Sequence, residues 1–513
     1  MKGKKVKVKS FCLFICVVLI FVFNAPAQKK SKKPVKSMTP NIATVFQPGK
    51  SPLISFRIEF LTGSVDDPKG KEGLSNLTAA MLASGGSKNL SYDQITEQFY
   101  PIAAGFGYQS DKEMTVFIGQ THADNLANYY GLIRQMLLEP GFREDDFARI
   151  KQNTINSLEV GLRESNDEEL GKERLYNIIY AGHPYEHYSV GTISSLKNLT
   201  LQDVKDFYAQ KYTQANLVVG LAGGFDTKFS AQIKTDFAKL PKGARKLLAF
   251  LPPVLSDGTK IDIVQRETRA TAISLGFPIM VNRAHKDYAA LALVASYFGQ
   301  HRSSNSYLYG RLRELRGLNY GNYAYIEYFP RGMFQFEPDP NLGRQQQIFQ
   351  IWIRPVEPEN ANFTLRAALY EYDKLVKKGL DQKTFAETRD FLIKYVNILT
   401  QTKDAELGYA LDSRYYEIAN YNLFMKTALS KLTLASVNAA IKKYLSSNKM
   451  RIVIITKDAN GLRDDIVNNK PGAIKYASEK PADILAEDKI ISTFPIGARA
   501  VDVTITPVAK VFE

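Results

Sequence analysis

The chain has 513 residues, 67 Lys and Arg against 52 Asp and Glu, a formal charge of +15 and 45% hydrophobic residues. That composition excludes a disordered or collagen-like chain, and the length exceeds a single core, which stops growing at roughly 250–300 residues. Ten lysines and no acid lie in residues 1–40, so residues 41–513 carry only +5; with no nucleic-acid motif beside it, the charge does not point to nucleic acid.

In chain order, a basic stretch from Lys2 to Lys9 precedes thirteen unbroken apolar residues, 11–23, and then Asn24-Ala25-Pro26-Ala27-Gln28. Small residues at −3 and −1 of a cut after Ala27 predict a secretory signal peptide over residues 1–27. Thirteen residues are short for a bilayer, which needs about 20. Both cysteines, Cys12 and Cys16, lie inside that segment. The exported chain, periplasmic or secreted, is then expected to have neither disulfide nor thiolate metal site. Residues 28–45 follow as a basic flexible arm, suited at most to peripheral contact with anionic lipid or cell-wall polymer.

The remainder alternates strand and helix patterns. Ile54, Phe56, Ile58 and Phe60 alternate with Ser55, Arg57 and Glu59, which predicts a half-buried strand. Leu74, Leu77 and Met81 are spaced for a helix over 73–84, and Ser91-x-x-Gln94 reads as a capping box. Leu126, Tyr129, Ile133, Met136 and Leu137 predict an amphipathic helix stopped by Pro140-Gly141, and a longer one starts near Asp145 and runs into the 160s. Polar stretches such as Asp167-Glu168-Glu169 and Lys377-Lys378 read as solvated faces. Pro252-Pro253 and Asp257-Gly258 mark a linker over 241–260.

Beyond the linker the plan repeats. Leu199-Thr200-Leu201, Val204, Tyr212 and Asn216 are echoed by Leu432-Thr433-Leu434, Val437, Tyr444 and Asn448, each followed by an apolar strand. A repeat this long is a domain duplication. The expected domains are 46–240 and 261–513, the second with a C-terminal tail from about 478 that adds a strand-like 501–505.

Residues 73–82, Gly-Leu-Ser-Asn-Leu-Thr-Ala-Ala-Met-Leu, resemble the inverzincin helix of the pitrilysin/insulinase-type metallopeptidases, which reads Gly-Leu-x-His-x-x-Glu-His-Met. There two histidines on one helical face hold zinc and the glutamate activates water. Here Asn76, Ala79 and Ala80 stand at those positions. Aligned from Phe147, Leu158 takes the place of the third ligand and Lys151 that of an accompanying glutamate; Glu159 is one residue, about 100° of helix, out of register. Such residues cannot hold a divalent metal. The resemblance therefore implies the family's α+β fold without its metal: two homologous domains, each an antiparallel sheet with helices on one face, in a mitochondrial-processing-peptidase-like clam shell.

His183-Pro184-Tyr185-Glu186-His187 matches H-x-x-E-H in letters only, because Pro184 biases His183 out of the helical region. A surface loop is expected there; the rival, a self-sufficient peptidase using His183 and His187, would carry zinc alone. By contrast, Leu312-Arg313-Glu314-Leu315-Arg316-Gly317-Leu318-Asn319-Tyr320 resembles the family's Leu-Arg-Glu-x-Arg-Gly-Leu-x-Tyr signature. In the family its first arginine and its tyrosine reach the zinc site of the facing half and stabilise the oxyanion. The residue types suit that work, since a guanidinium and a phenol both donate to developing negative charge. Carried over, the pair is Arg313 and Tyr320, with Glu314 and Arg316 structural. Residues 102–115 resemble the edge strand that adds a substrate peptide to the sheet, with Gly105, Gly107 and Tyr108 as candidate substrate contacts, although the two glycines equally suit a bulge.

The resemblance implies a non-catalytic subunit of a heterodimeric zinc peptidase. It would bind peptide and supply Arg313 and Tyr320 to a paralogous partner bearing His-x-x-Glu-His and the zinc. A structural or peptide-holding scaffold is the alternative.

Overall fold

A computed structural model describes residues 42–245, 252–253, 257–300, 306–330, 335–445, 449–476 and 478–513. The expected signal peptide, the arm as far as residue 41, much of the linker, His301 and Asn448 lie outside them. The described residues belong to one compact unit built on two sheets.

The first sheet joins β1 (Ala43–Pro48), β2 (Leu53–Phe60), β3 (Gly105–Ser110), β4 (Thr115–His122) and β5 (Leu217–Gly223) in the order β1-β5-β2-β4-β3. The second joins β6 (Lys260–Gln265), β7 (Thr271–Ile279), β8 (Asn322–Tyr325), β9 (Gln347–Val356), β10 (Arg451–Thr456) and β11 (Val503–Pro507) in the order β11-β6-β10-β7-β9-β8. Both are antiparallel through the centre, and each finishes in parallel pairs at one edge: β1 on β5, and β10 and β11 on β6.

The duplication is visible element by element. Thr200 and Thr433 each cap an 11-residue helix, Leu201–Lys211 and Leu434–Tyr444, through reciprocal bonds with Asp203 and Ser436. The strands that follow are β5 and β10. The predicted box at Ser91 also forms, with Gln94.

β2 departs from its pattern. Its alternate residues Ser55, Arg57 and Glu59 are buried as deeply as Ile54, Phe56 and Ile58. The cause is a helix from the other half, Lys403–Tyr415, which lies over β2 and β5. Arg57 donates to Asp404 at 2.6 and 3.1 Å and to Asn341 at 2.7 Å. Gly408 permits the approach, since a Cβ there would lie 2.5 Å from Pro340 and 3.1 Å from the Arg57 guanidinium. Reciprocally, the helix Asp167–Ile179 of the first half packs on β7, β9 and β10. Asp167-Glu168-Glu169, read as solvated, are instead ion-paired: Asp167 with Arg266, Glu168 with Arg354 and Glu169 with Lys172. Each sheet thus has one face covered by its own helices and the other by a helix of its twin.

The C-terminal residues, outside the family correspondence seen in sequence, return to the first half. Arg163 donates to the Val511 carbonyl at 2.6 Å, Ile193 N to that of Phe512 at 2.9 Å, and the Phe512 ring packs 5.3 Å from Tyr188.

Candidate functional site

The helix Leu74–Ser84 carries the three altered positions. Its start is fixed by Asp67, which accepts from Gly73 N at 2.8 Å and Ser75 N at 2.7 Å. Gly73 itself sits at φ 93°, a left-handed conformation that favours glycine. Asn76 and Ala80 face a cavity of about 500 Å³, while Ala79 is fully buried behind them. Tyr108, from β3, donates to Asn76 Oδ1 at 3.4 Å.

Across the cavity runs the helix Glu144–Asn156, continued as a wider π-type turn over Ser157–Glu164. Arg149, Ile150, Asn153, Thr154 and Ser157 form its cavity face. Leu158, assigned to the third ligand position from sequence, is 1% exposed and packs in the core away from that lining. Lys151 points elsewhere, its ammonium donating to the carbonyls of Lys197 and Leu199 at 2.9 and 3.0 Å. An amide, a methyl and hydroxyls where two histidines and a glutamate would be needed do not fit a zinc ion. Among the described residues no group of three His, Cys, Asp or Glu side chains is placed to hold one.

Two carboxylates missed from sequence do reach the cavity, Glu169 and Glu173, one turn apart on Asp167–Ile179. Their i, i+4 spacing on the helix after the ligand helix was the available signal. Glu173 accepts from Tyr328 of the second half at 2.9 Å. Burial foremost, then Glu169, pushes its carboxyl up to about 7 against the pull of Tyr328, Arg344 and Lys112. The wall behind is rigid: Arg344 donates twice to Asp111 at 2.7 Å and lies 3.6 Å over the Tyr328 ring.

His183–His187 is a loop whose three polar side chains part company. His183 Nδ1 accepts from Tyr185 N at 3.0 Å, Glu186 accepts from Gly182 N at 2.7 Å, and the His187 ring lies 3.2 Å from Asp67.

β3 is an edge strand paired with β4 in regular register, so Gly105 and Gly107 mark no bulge. Neither glycine has any atom within 4 Å of where a Cβ would lie. Gly105 O accepts from Tyr129 at 2.8 Å.

In the second half, Arg313 lies near the end of a π-type turn, Tyr309–Glu314. Its guanidinium lies 4.6 Å from the centres of both the Tyr309 and Tyr320 rings and donates to the Tyr309 hydroxyl. Tyr320 is 63% exposed. The turn is anchored beneath: Arg311 on Glu371 at 2.6 Å, and Arg316 on Glu487 at 2.7 Å and Asp488 at 2.8 Å. Partial burial raises the Glu487 carboxyl, but Arg316, Arg311 and Lys374 outweigh it and hold the group down at about 2. Arg316 is therefore structural, as its residue type suggested, while Glu314 is exposed and only 4.0 Å from Arg313. The described lining of the Asn76 cavity contains neither Arg313 nor Tyr320.

Comparison with known proteins agrees with this geometry. A profile described as insulinase (peptidase family M16) matches residues 50–192, and one described as peptidase M16 inactive domain matches 198–392. An uncharacterized zinc protease of Rickettsia bellii is 24% identical over 53% of this chain, and the match spans 64% of that protein's length. The non-peptidase homolog YmxG of Helicobacter pylori is 22% identical over 77% of this chain and 86% of its own. Among solved structures, a peptidase M16 inactive domain from Pseudomonas fluorescens aligns with TM-score 0.69 and 25% identity, covering 80% of this chain and 94% of that one. The periplasmic protease PqqL of Escherichia coli aligns with TM-score 0.63 and 15% identity, covering 88% of this chain and 49% of that one. The two matched profiles, the shared two-sheet fold and the side chains around Asn76 agree: the chain belongs to the insulinase (peptidase M16) family, as a non-catalytic member without the His-x-x-Glu-His motif.

Proposed function

We propose that this chain is the non-catalytic subunit of a two-chain zinc peptidase, holding peptide along β3 and lending Arg313 and Tyr320 to the zinc site of a paralogous partner. One observation carries the reading. Tyr320 stands exposed, with the half-buried Arg313 against its ring, on an anchored turn outside the lining of the chain's own cavity. In a partner's site, a permanently charged guanidinium and a phenol would donate to the oxyanion formed as zinc-activated water adds to the peptide carbonyl. The zinc and the attacking water belong to the partner; this chain contributes charge and position. The open edge of β3, with Gly105 and Gly107 leaving room for a neighbouring backbone, supports peptide addition in the same assembly. Export with cleavage near Ala27 would place both chains outside the cytoplasm.

The test is co-purification of this chain with a chain bearing an intact His-x-x-Glu-His, followed by peptide cleavage assays. Arg313→Ala with Tyr320→Phe should lower the complex's kcat by about 10²–10³-fold, as for loss of an oxyanion donor, while assembly persists. Unchanged cleavage by an assembled complex would leave the scaffold role instead.

A further inference from the structure

We infer that Tyr309 is the positioning residue of the Arg313–Tyr320 pair, holding the guanidinium in one orientation before any substrate arrives. The inference rests on the reading above and names a residue that lies outside the Leu312–Tyr320 signature.

An arginine on an exposed turn spreads over many rotamers, with roughly 2 kcal/mol of side-chain entropy to lose when it is fixed. An oxyanion donor works only if its orientation is set before the charge develops. Arg313 keeps 31% of its side chain exposed, yet its guanidinium is in contact with both Tyr309 and Tyr320, each ring centre 4.6 Å away. The two contacts are unequal. Tyr320 is mostly solvated and is steadied from beyond by Arg354 at 5.5 Å. Tyr309 is half-buried and stands on the same turn as the arginine, four residues before it.

The local backbone explains the pairing. Leu315 N bonds to Gly310 O at 3.0 Å, spanning five residues, so the turn is wider than an α-helical one. Residues four apart lie on one side of such a turn, which brings the Tyr309 ring and hydroxyl beside the guanidinium. Its hydroxyl accepts one N–H of Arg313; Nε of the arginine lies 4.0 Å from Glu314, and the side chain stays partly open to solvent. Tyr309 is also not what holds the turn together. Glu371, Glu487 and Asp488 do that, through Arg311 and Arg316. Its described polar and ring contacts go to Arg313, so its removal should loosen the arginine without unfolding the turn.

The experiment uses the two-chain complex captured by a tag on this chain, with fluorescently labelled casein as probe. Tyr309→Leu and Tyr309→Gln both remove the ring, so a folding failure of one leaves the other; Tyr309→Phe keeps the ring and loses the hydroxyl. Loss of this partly exposed cation–π contact predicts a fall in kcat of about fivefold for the ring-deleted variants, with KM changed less than about twofold and kcat lowered about twofold at most for Phe. Tyr309→Leu combined with Arg313→Ala should be no slower than Arg313→Ala alone, because the tyrosine acts through the arginine. Full activity in the ring-deleted variants, or effects that multiply with Arg313→Ala, would overturn the inference while leaving the role of Arg313 intact. Full activity of Arg313→Ala, or recovery of this chain with no zinc-bearing partner, would overturn both.

Discussion

The cavity beside Asn76 and the turn bearing Arg313 are built by opposite rules. Around the cavity the buried charged groups are paired, Arg344 on Asp111, Glu173 under Tyr328, Lys172 on Glu169 and over Trp352, and the exposed Arg149 pairs with Asp146. The ligand positions have become residues that pack or make weak polar contacts, and the fold holds without a metal. At the turn, the anchoring ion pairs lie beneath, while Tyr320 is exposed and Arg313 half-buried above them. An arginine and a tyrosine so placed contribute little to stability. Folding accounts for the first region; it makes little use of the second, and the proposed partner would give that pair its task.

Four measurements would break or sharpen this contrast, and the largest effect is expected at the cavity wall. Arg344→Met strands Asp111 in the core and should destabilise the chain by about 3–5 kcal/mol in urea unfolding, whereas Arg313→Ala should stay within about 0.5 kcal/mol. Equal losses would erase the distinction. Next comes the helix register. Asn76→His with Ala80→His and Ser157→Glu places three ligands on the cavity and should take up about one equivalent of zinc by metal analysis. The same pair of histidines with Leu158→Glu should bind none and should lose several kcal/mol by burying an unpaired carboxylate. Zinc uptake by the Leu158 version would restore the sequence register.

The third concerns pH. The Glu173 carboxyl, raised to about 7 from 4.5, keeps its proton in the folded chain over a range where the unfolded chain has lost it. Stability from this group is therefore present below about pH 4.5 and falls as pH rises towards 7. Glu173→Gln should make the fall shallower, read as urea midpoints at pH 5, 6, 7 and 8. It should not abolish the fall, because Glu59 and Glu337, both raised to about 8 chiefly by burial, act with the same sign. An unchanged slope would mean that Glu173 is already solvated and charged. The smallest effect is at the repeated caps, where Thr200→Ala and Thr433→Ala should each cost about 1 kcal/mol.

What could be read from the residues followed the range of the forces involved. The capping boxes, the duplicated Thr-Leu helices and the edge strand are short-range patterns, and each forms where its residues stand. The missing zinc set was equally legible, because Asn76, Ala79 and Ala80 are neighbours on one helix. The register of Ser157 against Leu158 was not, since the π-type turn beginning at Ser157 shifts the facing positions and leaves no mark in the spacing. The polar face of β2 read as solvent-facing because the helix that covers it lies some 350 residues away along the chain. Glu173 escaped for the same reason: its partner Tyr328 belongs to the other half.

That exchange of covering helices has a consequence for how the molecule is made. During synthesis the first sheet emerges long before Lys403–Tyr415, so Arg57, Glu59 and the open face of β5 must wait for most of the chain to appear. A chain that completes its first core only with its last third has a high contact order and exposes sticky surface meanwhile. The isolated first half should collapse yet aggregate, and the full chain should gain its compactness late, in one step shared by both halves.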